Sequence, residues 1–464
     1  MALLRDQLTG KSSTNTGYSP FTAAHRERRA LYDAYWSYYR GKHRRSLRVE
    51  PGAPDDNVVL NLSKRIVNKG IQFLFGKAVD FEIDADNPDR TPEEQYLDLA
   101  WGTDAQKHTL LQSLALNGAV CGQAVVRLYA PPLPGDLPRI VNLDPAMLDV
   151  VTLDDDVEQV SSYRLIWRSG EVWRRHRIDL QANDTWIVNV EEQRPGRSDW
   201  QLTGEELWPY PFAPVVTCQN LPLPNVFWGM SDLEDADLND SINFVASNIN
   251  RILRFHSHPK TVGTGFNAQM LQNTAVDAFW TVPDPQAKVY NLEMQSDLAS
   301  AYNYLAMLRT LYAKVTGVPE LDPAQVNVGA LSGFALRILY GDLLEATQTK
   351  RNTYGHLLAE VNARLLALGN VAAYGTLTVN NVWADPLPDS GLEQAQTLEI
   401  DRRNGLSQET YLTRRGYDPE IEEERKAAEQ EAQSNVGAAL MAQFERGGPQ
   451  FAQPAARAAD EADR

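Results

Sequence analysis

SDLEDADLNDSINFVASNINRILRFHSH, residues 231–258, decides how the chain is read. Leu238, Ile242, Val245, Ile249 and Ile252 recur at steps of four and three, the spacing that lines one face of a helix. Ser231 followed three residues later by Glu234 is a capping-box pattern and sets the expected start. Asp232, Glu234, Asp235 and Asp237 crowd the first turns, and Arg251 and Arg254 lie near the end, so both ends suit the helix dipole. The spacing predicts a helix over 231–256, roughly 39 Å long. Pro259 prevents it from running on.

Beyond it, residues 259–295 lose the helical period and carry Gly263, Gly265, Pro283 and Pro285. FWTVPD and AKVYNLE within them read as short strands. Helix returns at 297–316, with Leu298, Tyr302, Leu305, Leu308, Tyr312 and Val315 on one face. Two helices of similar length that flank a small excursion are expected to run antiparallel, with the excursion at their far tip. The stretch from Gly317 to Ala330 is too long for an ordinary helix connection, so it is either functional or disordered. A long helix is predicted from Ser332 to Leu368, with Gly341 and Gly355 as bend points. TLTVNNVWAD (376–385) reads as a strand, 391–404 and 407–434 as acidic helices, and the Ala-, Gly- and Pro-biased tail from 435 as disordered.

Toward the N-terminus, residues 121–220 change to a period of two. QAVVRLYA, VSSYRLIWRS, EVWRRHRIDL and DTWIVNVEE alternate between Gly, Pro and Asn-Asp signals and predict an antiparallel β unit. Trp167, Trp173, Trp186, Trp200 and Trp208 fall in it and are read as packing residues. Residues 92–117 read as one helix, FEIDAD (81–86) as a strand, and Leu62, Ile66, Gly70 and Phe73 as the face of a helix stopped by Gly76. Residues 25–48 are basic and aromatic, with Leu31, Tyr35 and Tyr38 at helical spacing and Gly41 as the stop. Eight Lys or Arg residues interleave there with Tyr32, Tyr35, Trp36, Tyr38 and Tyr39. Two readings stay open: a surface that stacks and pairs with a nucleic acid strand, or a helix whose aromatics pack and whose charges meet acidic neighbours.

Catalytic patterns are nearly absent. Gly10-Lys11-Ser12 lacks the earlier glycine of a phosphate loop, since position 5 is Arg, and no strand precedes it. His256 and His258 lack nearby Cys or carboxylate partners in sequence, and Asp154-Asp155-Asp156 lacks the Gly and closing Glu of a calcium loop. No metal, cofactor or enzymatic activity is expected. The 464 residues contain 61 acidic against 44 basic side chains, a net charge of −17, which argues against a chain that coats nucleic acid. Two cysteines, Cys121 and Cys218, exclude a disulfide framework and fit a reducing compartment. No signal peptide and no membrane-spanning run is read, so the expected setting is the cytoplasm or a particle assembled there.

The order YDAYWSYYRGKH (32–43), NVVLNLSKRIVNKGIQFLFGKAVDF (57–81) and GMSDLEDADLNDSINFVASNINRI (229–252) resembles the SPP1-like type of tailed-phage portal proteins. SGFALRILYGDLLEATQTKR (332–351), VWADPLPDS (382–390) and LSQETYLTRRGYDPEIEEER (406–425) extend the resemblance. Family members often carry Pro where this chain has Ala78. The resemblance implies an α+β portal fold that assembles as a dodecameric ring around a channel. It implies an N-terminal arm at 1–24, a wing at 25–229, stem helices at 230–256 and 296–317 around a clip at 257–295, and a tunnel loop at 318–331. A long bent helix and returning wing strand at 332–390, a crown at 391–434 and a tail at 435–464 complete the layout. Asp322, Gln325, Val326, Asn327, Val328 and Gly329 would lie in the tunnel loop. Arg251, Arg254, His258, Lys260 and Lys288 would contact DNA phosphates in the channel or acidic groups of neighbouring subunits; Gly341 and Gly355 would bend the long helix. Implied partners are further copies of the chain, double-stranded DNA, the terminase large subunit, a head-completion adaptor, and the major capsid and scaffolding proteins, with no membrane. Twelve copies would carry a charge of roughly −200, which repels phosphates and lets a duplex slide. The competing expectation is an intracellular nucleic-acid-binding module that uses residues 25–48.

Overall fold

Thr22, Asn61, Thr91 and Thr103 each cap a helix with a side-chain oxygen that accepts a backbone N–H of the first turn. These caps start α1 (Ala23–Tyr39), α2 (Leu62–Phe75), α3 (Pro92–Trp101) and α4 (Asp104–Cys121) in a computed structural model of the chain. The structure describes residues 19–44, 47–49, 51–52, 54–83, 90–133, 135–153, 155–257, 260–264, 286, 288–292, 298–320, 333–387, 398–405, 407–415, 418–419 and 421–428. Residues 92–117, expected as one helix, form two. Gly102 adopts φ +80° between them, and a second capping box, Thr103 with Gln106, restarts the chain.

The period-two region forms two antiparallel sheets. β2 (Gln123–Tyr129) is central between β3 (Arg139–Asn142) and β9 (Val215–Gln219). β4 (Leu148–Thr152), β5 (Val160–Ser169), β6 (Val172–Leu180), β7 (Trp186–Gln193) and β8 (Gln201–Trp208) make a five-stranded meander in sequence order. Leu148, Leu165, Ile178, Trp186, Val188 and Trp208 on the meander join Leu111, Leu114, Val125, Leu128, Tyr354, Leu358 and Leu365 in one buried core. Trp186 and Trp208 are therefore packing residues. Trp167 meets His176 edge-on, Trp173 meets Phe21, and Trp200 lies under Arg175. β1 (Val79–Glu82) pairs antiparallel with β12 (Asn380–Trp383), which lies inside the stretch 376–385 read as a strand.

Two long helices follow the sheets: α5 (Asp237–Ser257) and α6 (Leu298–Thr316). Between them β10 (Lys260–Thr264) pairs antiparallel with β11 (Lys288–Leu292). AKVYNLE is thus a strand, whereas FWTVPD lies outside the described residues. The start of α5 and the end of α6 meet in one apolar cluster, so the helices run antiparallel.

The expected start at Ser231 is corrected to Asp237. The Ser231 hydroxyl lies 2.9 and 2.7 Å from the Ala119 and Val120 carbonyls and accepts the Leu233 N–H. Glu234 accepts the Tyr35 hydroxyl at 2.9 Å. Both side chains of the supposed capping box serve tertiary contacts, and 232–236 form turns. The predicted helix 332–368 is two helices, α7 (Gly333–Leu339) and α8 (Gly341–Leu368), divided at Tyr340. The helix is continuous through Gly355, whose carbonyl accepts Asn381 Nδ2 from β12 at 2.8 Å.

The chain divides into two units, 1–388 and 389–464. In the second, α9 (Gln408–Arg414) is capped by Ser407, and 398–403 and 421–428 are helical. The tail from 435 and the arm up to residue 18 lie outside the described residues. The fold is mixed α+β. Among the described residues no helix is long and apolar enough to cross a membrane.

Candidate functional site

The helix pair α5–α6 and its root in the β unit form the candidate site. One side of α5 carries Asn239, Asn243, Ser247 and Asn250 at helical spacing. Residues 56–63 run along this side. Asn239 Oδ1 accepts the N–H groups of Leu62 and Ser63 at 3.1 and 3.2 Å, and its Nδ2 donates to the Leu60 carbonyl at 2.8 Å. Asn243 Oδ1 accepts the Leu60 N–H at 2.9 Å, and Ser247 Oγ accepts the Val58 N–H at 2.9 Å. Asn250 Nδ2 donates to the Asp56 carbonyl at 3.1 Å. Asn239, Asn243 and Ser247 are buried, so each replaces water lost from an extended backbone. The strap ends in charge: Arg251 Nε and Arg254 Nη2 lie 3.4 and 2.7 Å from the buried Asp56 carboxylate.

The root is held by a second polar network. Lys350 Nζ on α8 donates to both oxygens of Asp232, at 2.7 and 2.6 Å, and both side chains are buried. Asp232 also accepts Asn220 Nδ2 at 2.8 Å, while Asn220 Oδ1 accepts the Tyr354 hydroxyl at 3.2 Å. Burial pushes the Tyr354 hydroxyl well above the ordinary tyrosine range, so it stays a donor. Ile66, Phe73, Ile242, Tyr312, Tyr340 and Leu343 seal the root with apolar contacts. Burial likewise raises Tyr312, to about 12. Glu320, the last described residue before 321–332, is gripped by Arg309 and lies 3.7 Å from Arg65.

The helix α6 has two unlike faces. Leu305, Leu308 and Tyr312 pack into the root cluster. Tyr304, Met307, Leu311 and Val315 form a stripe that is 46–55% exposed. Val315 and Tyr302, expected on one face with Leu305, Leu308 and Tyr312, are among the exposed residues.

Residues 18–436 match the family model described as phage portal protein, SPP1 Gp6-like. The chain belongs to this family of portal proteins. Portal proteins are structural rather than enzymatic, in line with the sparse catalytic patterns. Among solved structures, the chain is similar to one from the neck of a native GTA particle computed with C12 symmetry. That likeness has 15% identity and a TM-score of 0.44, and covers 77% of this chain and 90% of the other. A second, from the neck of an empty GTA particle computed with C6 symmetry, has 15% identity and a TM-score of 0.45 over the same shares. No curated protein matches the chain.

In this portal chain, Arg251 and Arg254 both face Asp56 of the same polypeptide, a partner that sequence reading did not name. Lys260 opens β10 in register with Leu292, and Lys288 is exposed on β11 opposite Thr264. His258, Asp322, Gln325, Val326, Asn327, Val328 and Gly329 lie outside the described residues. Gly341 begins α8 directly after the break at Tyr340, and Gly355 is buried within that helix.

The aromatics of 25–48 are committed to packing. Tyr32 and Tyr35 are 3% and 2% exposed. Tyr38 donates to Asp240 at 2.6 Å and Tyr39 to Asn68 at 3.0 Å. Arg28 pairs with Asp149 at 3.0 Å and covers the Trp228 ring. The stacking platform that a nucleic-acid module needs is thus not offered by Tyr32 or Tyr35. Among the described residues no group of three His, Cys, Asp or Glu side chains could hold a metal. Sequence reading missed Asp56, the Asn239–Asn250 ladder and the Asp232–Lys350 pair. The signal for the ladder was present as Asn, Asn, Ser and Asn at helical steps.

Proposed function

We propose that twelve copies form a ring at one vertex of a phage capsid, and that double-stranded DNA enters and leaves through its channel. The observation that carries this reading is the portal-family match across residues 18–436. The helix pair rooted in a β unit supports it. In this reading 25–229 is the wing, α5 and α6 are the stem, and 257–295 is the clip. The loop 318–331 faces the channel, 332–390 links wing to crown, and 391–434 is the crown. The terminase large subunit docks first and a head-completion adaptor later. Capsid and scaffolding proteins surround the ring, and the portal itself hydrolyses nothing.

The exposed stripe Tyr304, Met307, Leu311 and Val315 would pack against the neighbouring stem. A row of half-exposed apolar side chains at helical spacing needs a cover, and a heterologous contact repeated around an axis closes a ring. Arg251 and Arg254 would hold the strap rather than DNA, while His258, Lys260 and Lys288 remain for contacts at the clip. Asp322, Gln325, Val326, Asn327, Val328 and Gly329 would meet the duplex, and Gly341 would be the bend of the long helix, with Gly355 a second one further along. Gly329→Pro is expected to leave rings intact and to impair packaging; unchanged packaging in a reconstituted assay would remove that role.

Negative-stain electron microscopy of the purified chain tests the central claim. Turbine-like rings with a central hole are the expected result. Uniform monomers under every assembly condition would overturn it.

A further inference from the structure

Arg127, on β2, is only 7% exposed, and among the described residues no carboxylate pairs with it. Other well-covered arginines nearby are matched. Arg28 pairs with Asp149, Arg175 with Glu191 and Arg364 with Glu360. Arg127 instead donates from Nη1 to His176 Nδ1 at 2.6 Å and lies 4.6 Å from the centre of the Tyr129 ring. Its Nε has no partner. Arg139 lies over the same ring at 4.9 Å and adds a second positive charge. His176 supplies no counter-charge. Burial first, and then Arg127, hold its pKa at about 4, so it is a neutral acceptor near pH 7. Burial also pulls Arg127 below the ordinary arginine range.

This cation lines a cavity of about 290 Å³, together with Tyr129, Pro131, Pro214, Trp208 and Glu206. A water occupies about 30 Å³ of the liquid, so the space admits a small anion with several waters. The exposed Glu206, also in the lining, favours the charged guanidinium through space without forming an ion pair. A buried charge without a carboxylate is costly, and with Nε buried and unpartnered the Arg127 guanidinium is short of the hydrogen bonds that an oxyanion in the cavity would supply to it.

We propose that this cavity binds one small oxyanion, a phosphate or carboxylate, against the Arg127 guanidinium. The inference does not rest on ring assembly, because every group named belongs to one chain. Anion binding there would neutralise the centre of the β unit and tie β2 to β6 and β8.

Thermal unfolding of the full chain, with inorganic phosphate or acetate added at constant ionic strength, is the test. A tenfold excess of a bound anion over its Kd is expected to raise Tm by about 2 °C. Whichever of the two anions raises Tm at the lower concentration is the class the site prefers. Arg127→Met should abolish the rise, which separates the site from general salting-out by phosphate. Glu206→Gln removes the repelling carboxylate from an exposed position and should shift the response to several-fold lower concentration. An equal rise in wild type and Arg127→Met would overturn the proposal, as would no rise with either anion at about 10 mM. Should Arg127→Met fail to fold, Glu206→Gln decides: an unchanged concentration dependence by calorimetric titration would equally overturn it.

Discussion

The helices α5 and α6 are neighbours of similar length, yet they meet their surroundings in opposite ways. The polar side of α5 is dressed from within the chain: Asn239, Asn243, Ser247 and Asn250 take up the backbone of 56–63, and Arg251 and Arg254 close on Asp56. Among the described residues no comparable strap covers Tyr304, Met307, Leu311 and Val315 on α6. A buried asparagine ladder is a private arrangement, because its donors and acceptors have fixed partners in one polypeptide. An exposed apolar stripe is indifferent to sequence detail and suits a repeated contact between copies. The pair thus separates what holds a protomer together from what would join protomers.

The largest expected effect breaks the α6 side. Leu311→Asp places a charge in the stripe, and rings are expected to disappear in analytical ultracentrifugation. Unfolding of the protomer should change by only about 0.5 kcal/mol, as for an exposed site. Rings that survive with unaltered sedimentation would assign the stripe another role. Next comes Asn239→Ala on the α5 side. It orphans the Leu62 and Ser63 N–H groups and the Leu60 carbonyl in a buried setting, and a loss of about 3 kcal/mol is expected in denaturant unfolding. Asp56→Asn should cost less, about 1 kcal/mol, because Arg251 and Arg254 are about one-third exposed and water screens them. That loss should shrink further in high salt.

The last effect, a pH dependence, lies outside both helices. His176 has a folded pKa of about 4, below its ordinary 6.5. The unfolded chain therefore binds the proton more readily between these values, and stability falls as pH drops from 6.5 toward 4. His176→Gln should flatten that part of a Tm-against-pH curve, and an unchanged curve would show that other groups dominate it.

Much of this architecture was legible. The Leu238–Ile252 seam located α5, alternation located the β unit, and the resemblance in residue order located the family. Three features were not legible, for physical reasons. Ser231 and Glu234 have capping-box spacing, but Ala119, Val120 and Tyr35 offer them stronger tertiary partners. Residues 92–117 have enough apolar positions for one helix, and the break rests on two small signals, Gly102 at positive φ and the Thr103–Gln106 capping box. Asn239, Asn243 and Ser247 look like a solvated face, since a polar stripe has the same pattern whether water or another backbone covers it. The arginines at the end of α5 were legible as charges but not as partners of Asp56, which lies far away in sequence.

That separation has a kinetic cost. The hydrogen bonds from the strap to α5 join residues 176–194 positions apart in sequence. During synthesis at about 5–20 residues per second, residues 56–63 wait roughly 10–40 s for their partners. Through that interval the strap keeps its local hydrogen bonds, Asn57 to Leu47 and Asn61 to Tyr39, while its groups that pair with α5 are met by water, and closing so long a loop is entropically slow. A newborn chain therefore acquires its fully dressed α5 late, after the β unit between the two segments has been made. Assembly that requires a finished helix pair is delayed until the chain has been made past Thr316.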